Sequence, residues 1–428
     1  KYMRQEAYFC TIEELNSLGK ENIPQQLISH THLIYSSPAT LAFNSPGAEG
    51  FGVKRAGLAV PGSIMLIVAP GCCGRNTSVL SSMRAYHDRF YYLLMDETDI
   101  VTGRHLKKIP KAVAEICEGL EKKPSVVMIC ITCVDALLGT DMERVCRKAE
   151  EVAGLPVKPC YMYALTREGR KPPMVHVRQS IYSLLEPKKK KGNVVNLLGY
   201  FSPLVDDCEL YDLLHDAGVK TIHEISRCKD YAEYQTMSEA NFNLVLHPEA
   251  RFAAEDFHDR LKIPYIELRR LYQIDKIASQ YRAFGAALGV TFDDEKPRRA
   301  AENAVAKFKE KYPEASFAVG EWMNGDSFEL ALALVRYGFR VPEIYGTLSG
   351  ENFIYVKQLA ALSPETKVFS NLEPTMLYYD GTDSGVTLTI GKDAGYYHKN
   401  CPNVLWNGER QPYGYAGVRR LFEALAEV

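Results

Sequence analysis

The sequence predicts an α/β fold of three Rossmann-like domains with parallel sheets around a central cavity. Short apolar runs of strand length alternate with segments of helical pattern along the chain, and the clearest runs are Ile64–Val68, Ser125–Ile131 and Val194–Leu198. Strands that alternate with helices form parallel, doubly wound sheets, so each run is expected to be a buried strand. Such sheets bind ligands beyond the carboxyl ends of their strands.

Length and composition favour several domains. The chain has 428 residues, of which 46% are hydrophobic, and this is more than one ordinary core accommodates. Four lysines at 188–191 are interpreted as a solvated linker rather than a binding patch, and residues 291–299 as a polar break. The expected domains are residues 1–190, which carry the functional cysteines, a middle Rossmann-like domain at 191–295, and a C-terminal one at 296–428.

Charge and hydropathy exclude several classes of function. The net charge of −2 gives no overall attraction to nucleic acid. No apolar run approaches the roughly 20 residues that span a bilayer, so no membrane partner is expected. Eleven cysteines, an odd number without the spacing of a disulfide framework, favour a reducing compartment. A cytoplasmic protein is expected.

Two adjacent cysteines, Cys72 and Cys73, follow the Ile64–Val68 run in a turn rich in glycine. The thiols are therefore expected at the end of a strand and the start of a helix, where backbone N–H groups favour thiolates. Cys133 follows the Ser125–Ile131 run, 60 residues after Cys73. Because two ligands from neighbouring strand ends can reach one inorganic cluster, we expect an iron–sulfur cluster here.

Two other chemistries have less support in this region. The turn lacks the spacing and the lysine of a phosphate-binding loop, so we reject a nucleotide site. Cys130 and Cys133 have the Cys-x-x-Cys spacing of a zinc site. Cys130, however, lies within an apolar strand and is interpreted as a small buried hydrophobe. From the residues alone, the cluster and the zinc alternative stay open. The remaining thiols are interpreted as core or surface residues: Cys10, Cys117, Cys146, Cys160, Cys208, Cys228 and Cys401.

Several motifs in a fixed order resemble the nitrogenase component 1 family. They are Pro61-Gly62-Ser63, Gly71-Cys72-Cys73-Gly74, the acidic stretch Asp96–Gly103, and Thr132–Asp141. Leu244–Glu249 and Gln411–Gly417 extend the resemblance more weakly to the rest of the chain. The family includes reductases and cofactor-assembly scaffolds.

The resemblance implies a cluster at a subunit interface. Cys73 and Cys133 match two of the family's three interface-cluster cysteines, and Cys72 is an additional thiol. Asn44 stands where the first family cysteine is expected. A 4Fe–4S cluster with two cysteines from each of two subunits meets the ligand count. Six cysteines, with Cys72 included, would hold a larger, P-cluster-like group.

The resemblance does not imply a standard homocitrate-bearing cofactor. His247 stands in place of the family's cofactor cysteine, and its cofactor histidine falls near Leu405. A second metallocofactor or a tetrapyrrole is not identified. His247 is a candidate ligand or a histidine satisfied by its neighbours. Other candidates for lining the cavity lie in predicted loops and are alternatively surface residues: Glu321, Asn324, His398 and Arg410.

The function implied by the resemblance is a nitrogenase-like oxidoreductase subunit. It would take electrons from an ATP-dependent iron protein through the iron–sulfur cluster and deliver them to a substrate or metallocofactor in the interdomain cavity. A second component 1-like subunit, the same or paralogous, would complete the cluster. The alternatives are a non-catalytic scaffold for metallocofactor assembly and a structural partner subunit of such a complex.

Overall fold

The computed structural model of the chain describes residues 6–28, 38–39, 52–71, 78–162 and 171–428. Within these residues the backbone forms strands that we number β1 to β14 in chain order. Their bounds are Cys10–Thr11, Ile64–Ala69, Phe90–Leu94, Val127–Ile131, Val157–Tyr161, Val194–Leu198, Thr221–His223, Phe242–Val245, Tyr265–Glu267, Ser316–Val319, Arg340–Tyr345, Lys367–Phe369, Leu388–Ile390 and Asn403–Val404.

Helices connect most of these strands. The α-helices are Ile12–Leu18, Val53–Gly57, Ser78–Ser82, Glu97–Thr102, His105–Gly119, Cys133–Leu138, Met142–Ala153, Pro173–Tyr182, Glu209–Asp216, Tyr231–Gln235, Arg251–Leu261, Ile274–Leu288, Glu295–Lys311, Ser327–Arg336, Phe353–Ala360, Lys392–Tyr397 and Gly414–Glu427. Single 3₁₀ turns occupy Lys20–Asn22, Gln25–Leu27, Arg84–Tyr86, Ile225–Arg227, Thr236–Glu239, Pro248–Ala250 and Pro374–Tyr378. No helix in the described ranges is long and apolar enough to cross a membrane.

The strands form three sheets. The first has the order β3-β2-β4-β5, the second β7-β6-β8-β9, and the third β1-β12-β11-β10-β13-β14. Every neighbouring pair is parallel except β1 and β12, which are antiparallel. This arrangement confirms the predicted α/β fold with parallel sheets.

Each sheet has one point at which the strand order reverses. In the first sheet the chain goes from β2 to β3 on one side and then returns to place β4 on the other side. The same reversal occurs between β6 and β8 in the second sheet and between β10 and β13 in the third. Because the connections leave in opposite directions there, a crevice forms beyond these strand ends, and doubly wound proteins bind ligands in it.

The described residues divide into two compact units. One, drawn from residues 45–203 and 219–269, carries the first and second sheets. The other, drawn from residues 1–44, 204–218 and 270–428, carries the third sheet. It includes β1 at the sheet edge, a contribution of the N-terminal segment that the sequence patterns did not indicate. The boundaries after residues 190 and 295 stay a prediction.

The first sheet is buried on both faces, which explains its continuous apolar runs. All six residues of β2 and all five of β4 are buried. The even-numbered residues of β2 pack with the helices His105–Gly119 and Met142–Ala153. The odd-numbered residues pack with the helix Pro173–Tyr182 and the second sheet. The strand ends are therefore fixed by packing on both sides.

The expected polar break at residues 291–299 was wrong in its second half, because the helix Glu295–Lys311 begins there. Its buried residues Ala301, Val305 and Phe308 lie on one face, which packs against the closing helix Gly414–Glu427. The charged residues cover the outer face. A polar composition thus concealed an amphipathic helix.

Candidate functional site

The point of reversal in the first sheet brings two sequence motifs together. β2 and β4 are neighbours, and Val68 is in register with Ile131. The chain leaves β2 through Pro70 and Gly71 and leaves β4 through Thr132 and Cys133. The turn that leads to Cys72 and Cys73 therefore starts beside the strand end that carries Cys133. Cys72 and Cys73 themselves lie outside the described residues, so their roles as ligands stay predictions.

Cys133 is the first residue of the helix Cys133–Leu138 and is half-buried. Thr132 precedes it as the N-cap residue, and Gly139 ends the helix with a left-handed φ of 65°. This conformation favours glycine, because a side chain would be strained there. The thiol thus lies at the carboxyl edge of the first sheet, at a short and sharply bounded helix.

A buried histidine–aspartate pair links this helix to the helix His105–Gly119. His105 Nε2 lies 2.8 Å from Asp135 Oδ1, and both side chains are almost fully buried. His105 Nδ1 lies 3.1 Å from the carbonyl oxygen of Asp99 and carries a ring proton, because that oxygen can only accept. Thr140 Oγ1 donates to the same Asp135 oxygen at 2.9 Å. Nε2 and Oδ1 therefore share a second proton in a fixed geometry.

The network extends from His105 toward the surface through Asp99. Lys108 Nζ and Arg104 Nε donate to the buried Asp99 carboxylate at 2.7 and 2.9 Å. These two cations, Lys108 foremost, hold the pKa of Asp99 well below its usual range. Asp99 also closes a capping box with Asp96 at the start of the helix Glu97–Thr102. The acidic motif that the sequence singled out thus fixes the elements beside Cys133.

Two buried atoms next to Cys133 lack a hydrogen-bond partner. They are Thr132 Oγ1 and Asp135 Oδ2, and no other side-chain nitrogen or oxygen atom in the described part of residues 52–190 is both buried and unpaired. Thr132 is 2% exposed and Asp135 1%. An unsatisfied buried group costs about 1–3 kcal/mol, so such groups are rare in native proteins. The Thr132 hydroxyl belongs to the residue next to Cys133 and can donate to a group that binds there.

The donor set suits an iron–sulfur cluster. Cysteine thiolates are the usual ligands of such clusters. Inorganic sulfide and thiolate sulfur can accept a hydrogen bond from a hydroxyl such as that of Thr132. The described residues that surround Cys133 therefore fit the group that the sequence predicts.

A cavity of about 310 Å³ lies beyond β4 and β5, on the side of Asp135. His176 forms part of its wall, and its ring packs edge-on against Tyr161 at 4.3 Å between centroids. Burial, together with the charge of Lys171, lowers the pKa of His176 to about 4. The imidazole is therefore neutral at neutral pH, and the cavity offers a polar space beside the candidate site.

Cys130 belongs to the hydrophobic core, as expected. It is fully buried, it is in register with Cys160 on β5, and the two thiols interact. Its side chain packs with the residues on the face of the sheet that is directed toward the helix Pro173–Tyr182. Among the residues that the structure describes, no group of three or more His, Cys, Asp or Glu side chains could hold a metal ion.

His247 lies at the point of reversal of the second sheet. The loop after β6 presses against it, because a Cβ atom added to Gly199 would lie 2.7 Å from the His247 nitrogen. The ring packs edge-on against Tyr200 at 5.7 Å, and its Nδ1 accepts from the Glu249 N–H at 3.3 Å. The crevice of this sheet is thus closed by its own loops.

Glu321 lies at the corresponding point of the third sheet, together with Asp393, which the sequence analysis missed. Asp393 is fully buried and accepts hydrogen bonds from the Glu321 N–H at 2.8 Å and from Asn371 Nδ2 at 2.7 Å. Thr347 Oγ1 donates to Glu321 Oε1 at 2.9 Å. Burial raises the pKa of both carboxyl groups. Asp393 thereby links the loops at these strand ends, and a cavity of about 230 Å³ with Glu321 and Thr347 in its wall lies beside them.

The other two charged candidates have different surroundings. His398 is buried, 2.7 Å from Glu343 Oε2 and 2.9 Å from the Tyr379 hydroxyl, so it is not a surface residue. Arg410 is exposed and forms an ion pair with Asp206. Both lie in the unit of the third sheet.

Asn324 also lies in that unit. Its Nδ2 donates to the Gly408 carbonyl oxygen at 2.8 Å, and its own carbonyl accepts from the Tyr272 hydroxyl. The structure therefore gives Asn324 a role in holding two loops together.

The sequence patterns did not indicate the buried pair of His105 and Asp135 beside Cys133, although one of the two residues carried a signal. Asp135 lies inside the quoted Thr132–Asp141 motif, two residues after Cys133, and that proximity was an available signal. His105 carried no comparable signal, because a lone histidine in a helical pattern does not reveal a partner 30 residues away.

The family model for nitrogenase component 1 type oxidoreductases matches residues 49–428. The chain belongs to this family. The match confirms the resemblance drawn from the cysteine motifs and includes Cys72, Cys73 and Cys133.

Curated relatives of this family match at low identity. The nitrogenase iron-molybdenum cofactor biosynthesis protein NifE of a Nostoc strain is 27% identical over 232 residues, which are 52% of this chain and 48% of that protein. The nitrogenase molybdenum-iron protein alpha chain of Methanosarcina barkeri is 24% identical over 227 residues, 51% of this chain and 41% of that protein. The chain thus spans about half the length of the curated relatives it matches.

A solved structure of nitrogenase Cp1 at pH 6.5 shares the fold. The TM-score is 0.69, and the similarity covers 95% of each chain at 16% sequence identity. At this identity the similarity shows the nitrogenase component 1 fold alone.

Proposed function

We propose that this chain is a scaffold subunit on which a metallocofactor is assembled, and that it holds an iron–sulfur cluster at the carboxyl edge of its first sheet. Cys73 and Cys133 are the proposed ligands, and Cys72 is a third candidate. The observation that carries the cluster is the buried, unsatisfied hydroxyl of Thr132, the residue next to Cys133. When bound, the cluster supplies electron storage, while the thiolates and their neighbours orient it.

The first sheet supports this assignment better than the other two. At the second sheet Gly199 packs against His247, and at the third sheet both oxygens of the buried Asp393 have hydrogen-bond partners. At the first sheet, the described residues leave a hydroxyl and a carboxylate oxygen without partners. Unsatisfied buried atoms also occur at the other two sheets, but among the described residues only the first sheet has one next to a cysteine of the family-like motifs.

A scaffold is favoured over a reductase by the relatives and by the missing ligands. The Nostoc relative is described as a cofactor biosynthesis protein. By resemblance, a catalytic subunit should offer a cysteine where this chain has His247 and a histidine where it has Leu405. Without this pair, a cofactor would be held more weakly, which suits a protein that passes it on.

A second component 1-like subunit, the same or paralogous, is the proposed partner. Two or three cysteines per chain do not complete a cluster, whereas two chains supply four or six. Exposed apolar side chains lie on the helices near Cys133, namely Val101 at 85%, Leu137 at 64% and Leu138 at 50% exposure. Such side chains are typical of a surface that a protein covers.

The cluster is tested by anaerobic purification with iron and sulfide analysis and low-temperature EPR spectroscopy. We expect a brown, iron-containing protein, and we expect that Cys73→Ala and Cys133→Ala each abolish the signal. Cys401→Ala is the matched control, because Cys401 is also half-buried but lies in the other unit. An iron-free wild-type protein, made with cluster assembly intact, would refute the proposal.

A reductase subunit is the second candidate, favoured by the match to the Methanosarcina molybdenum-iron protein alpha chain. In this case an ATP-dependent iron protein would deliver electrons through the cluster to a substrate or metallocofactor. A scaffold releases its metallocofactor to another protein, whereas a reductase keeps its metal and passes on electrons. Incubation with a cofactor-free nitrogenase protein should transfer metal from a scaffold. Incubation with an iron protein and ATP should instead drive sustained electron consumption in a reductase, with the metal retained.

A further inference from the structure

We propose that the Thr132 hydroxyl donates a hydrogen bond to a sulfur atom at the Cys133 site and thereby raises the reduction potential of the cluster. This inference rests on the proposed cluster. It concerns a positioning residue that the sequence motifs did not assign.

The side chain of Thr132 occupies an N-cap position without capping and has no other hydrogen-bond partner among the described residues. At N-caps, Ser, Thr, Asp and Asn usually accept a hydrogen bond from the backbone N–H two or three residues later. Thr11 follows this rule and accepts from the Glu14 N–H at 3.2 Å. Asp294 and Asn352 also lack a cap bond, but their side chains are half-buried and bond to other partners. Thr132 makes no such bond.

Burial makes this lack of a bond significant. Thr132 is 2% exposed, and its Oγ1 atom has no partner in the described structure. A solvated hydroxyl could bond to water at no cost, whereas a buried one requires a partner. The hydroxyl belongs to the residue next to Cys133 at the end of β4, and the cluster that we propose there supplies the partner that it lacks.

Of the two unsatisfied atoms, only the Thr132 hydroxyl can donate a hydrogen bond to sulfur. An ionised carboxylate only accepts hydrogen bonds, so Asp135 Oδ2 does not stabilise a thiolate or a sulfide. The Thr132 hydroxyl can donate to either of them. Hydrogen bonds to cluster sulfurs favour the more negative, reduced state and are one of the determinants of the potential. Removal of the hydroxyl should therefore move the potential to more negative values.

The first arm of the test compares iron-loaded wild type, Thr132→Val and Thr132→Ser by EPR-monitored redox titration. Valine has the shape of threonine without the hydroxyl, and serine retains the hydroxyl. We expect a more negative potential for Thr132→Val and a wild-type potential for Thr132→Ser. Loss of the cluster in Thr132→Val, with retention in Thr132→Ser, also supports the proposal.

The second arm measures urea unfolding of the iron-free proteins. Because the hydroxyl has no protein partner, Thr132→Val should unfold at the same urea concentration as wild type or a higher one. Thr366→Val is the matched control: Thr366 is also fully buried, but its Oγ1 donates to the Val341 carbonyl at 2.7 Å. It should lower the unfolding midpoint and leave the potential unchanged.

The outcomes separate this inference from the proposed function. A wild-type protein without iron overturns the cluster and the hydroxyl role together. An iron-loaded Thr132→Val protein with the wild-type potential overturns the hydroxyl role alone. A destabilised iron-free Thr132→Val protein also overturns it, because the hydroxyl would then have a partner within the chain.

Discussion

His105 and Asp135 form a fully buried pair beside Cys133, and single residues of this kind decide the local stability of the site. The desolvation of these two polar side chains is offset by their mutual contact and by the additional bonds to Asp99 and Thr140. Removal of one partner leaves the other buried without compensation, which is more damaging than removal of both.

We predict that His105→Ala lowers the free energy of unfolding by about 3–5 kcal/mol, because the buried Asp135 side chain then loses its imidazole partner. Urea unfolding followed by circular dichroism measures the change. Lys111→Ala on the same helix is the control, since its ion pair with Glu115 is exposed and 3.8 Å long, and exposed pairs contribute about 0–1 kcal/mol. A loss below 1 kcal/mol for His105→Ala would contradict the role assigned to the pair.

For single residues, the sequence predicted the place in the fold better than the hydrogen-bond partners. Cys133 was expected at a strand end because an apolar run precedes it, and the backbone confirms that location. Cys130 was correctly expected in the core. The bonds of His398 to Glu343 and Tyr379 link residues far apart in the chain. No local pattern encodes such contacts, because tertiary packing creates them.

At the second sheet, the loops after β6 and β8 can pack closely because residue 199 is a glycine. Gly199 has a φ of 136°, a conformation that side chains rarely adopt, and it packs against the backbone of His247. The crossing of these loops fixes the end of β6 against the end of β8.

We predict that Gly199→Ala destabilises the protein by about 2 kcal/mol or more, since the methyl group adds backbone strain to a steric clash. Gly192→Ala is the control, because a Cβ atom there meets nothing within 4 Å and its φ is ordinary. Differential scanning calorimetry should give a lower melting temperature for the first variant only. Equal melting temperatures for both would show that the loops separate without cost.

Elements were predictable where burial on both faces produced continuous apolar runs, as for β2, β4 and β6. The two-residue strands β1 and β14 were not, because so short a segment carries no periodicity. The start of the helix Glu295–Lys311 was mistaken for a break because its first turn is highly charged. Apolar spacing three and four residues apart within it was the signal to follow.

Across the whole molecule, three sheets with the same kind of strand reversal are used differently. Among the three reversal points, only that of the first sheet is followed by the cysteine motifs. The order of these motifs along the chain is what identified the family. The choice between a scaffold and a reductase subunit was harder to predict from one chain. The proposed cluster would take the rest of its ligands from a second subunit, so its chemistry does not follow from one chain.

Glu329 makes the stability of the unit with the third sheet depend on pH. It is buried in the first turn of the helix Ser327–Arg336 and accepts hydrogen bonds from the backbone N–H groups of Tyr272 and Gln273. Burial outweighs these bonds and raises the pKa of the carboxyl group from 4.5 to about 7. Between these values the folded chain retains a proton that the unfolded chain releases. Stability should therefore be highest below pH 4.5 for this group alone and fall as the pH rises to about 7.

We predict that Glu329→Gln removes this dependence, which corresponds to roughly 3 kcal/mol between the two pH values. Urea unfolding of wild type and variant at several pH values from 4.5 to 8 measures the difference in slope. Glu310→Gln, an exposed glutamate on the helix Glu295–Lys311, should retain the wild-type slope. If wild type and Glu329→Gln keep a constant difference in unfolding free energy across this range, then Glu329 is ionised throughout. The bonds to Tyr272 and Gln273 would in that case outweigh burial, and the carboxylate would fasten the helix to this segment at neutral pH.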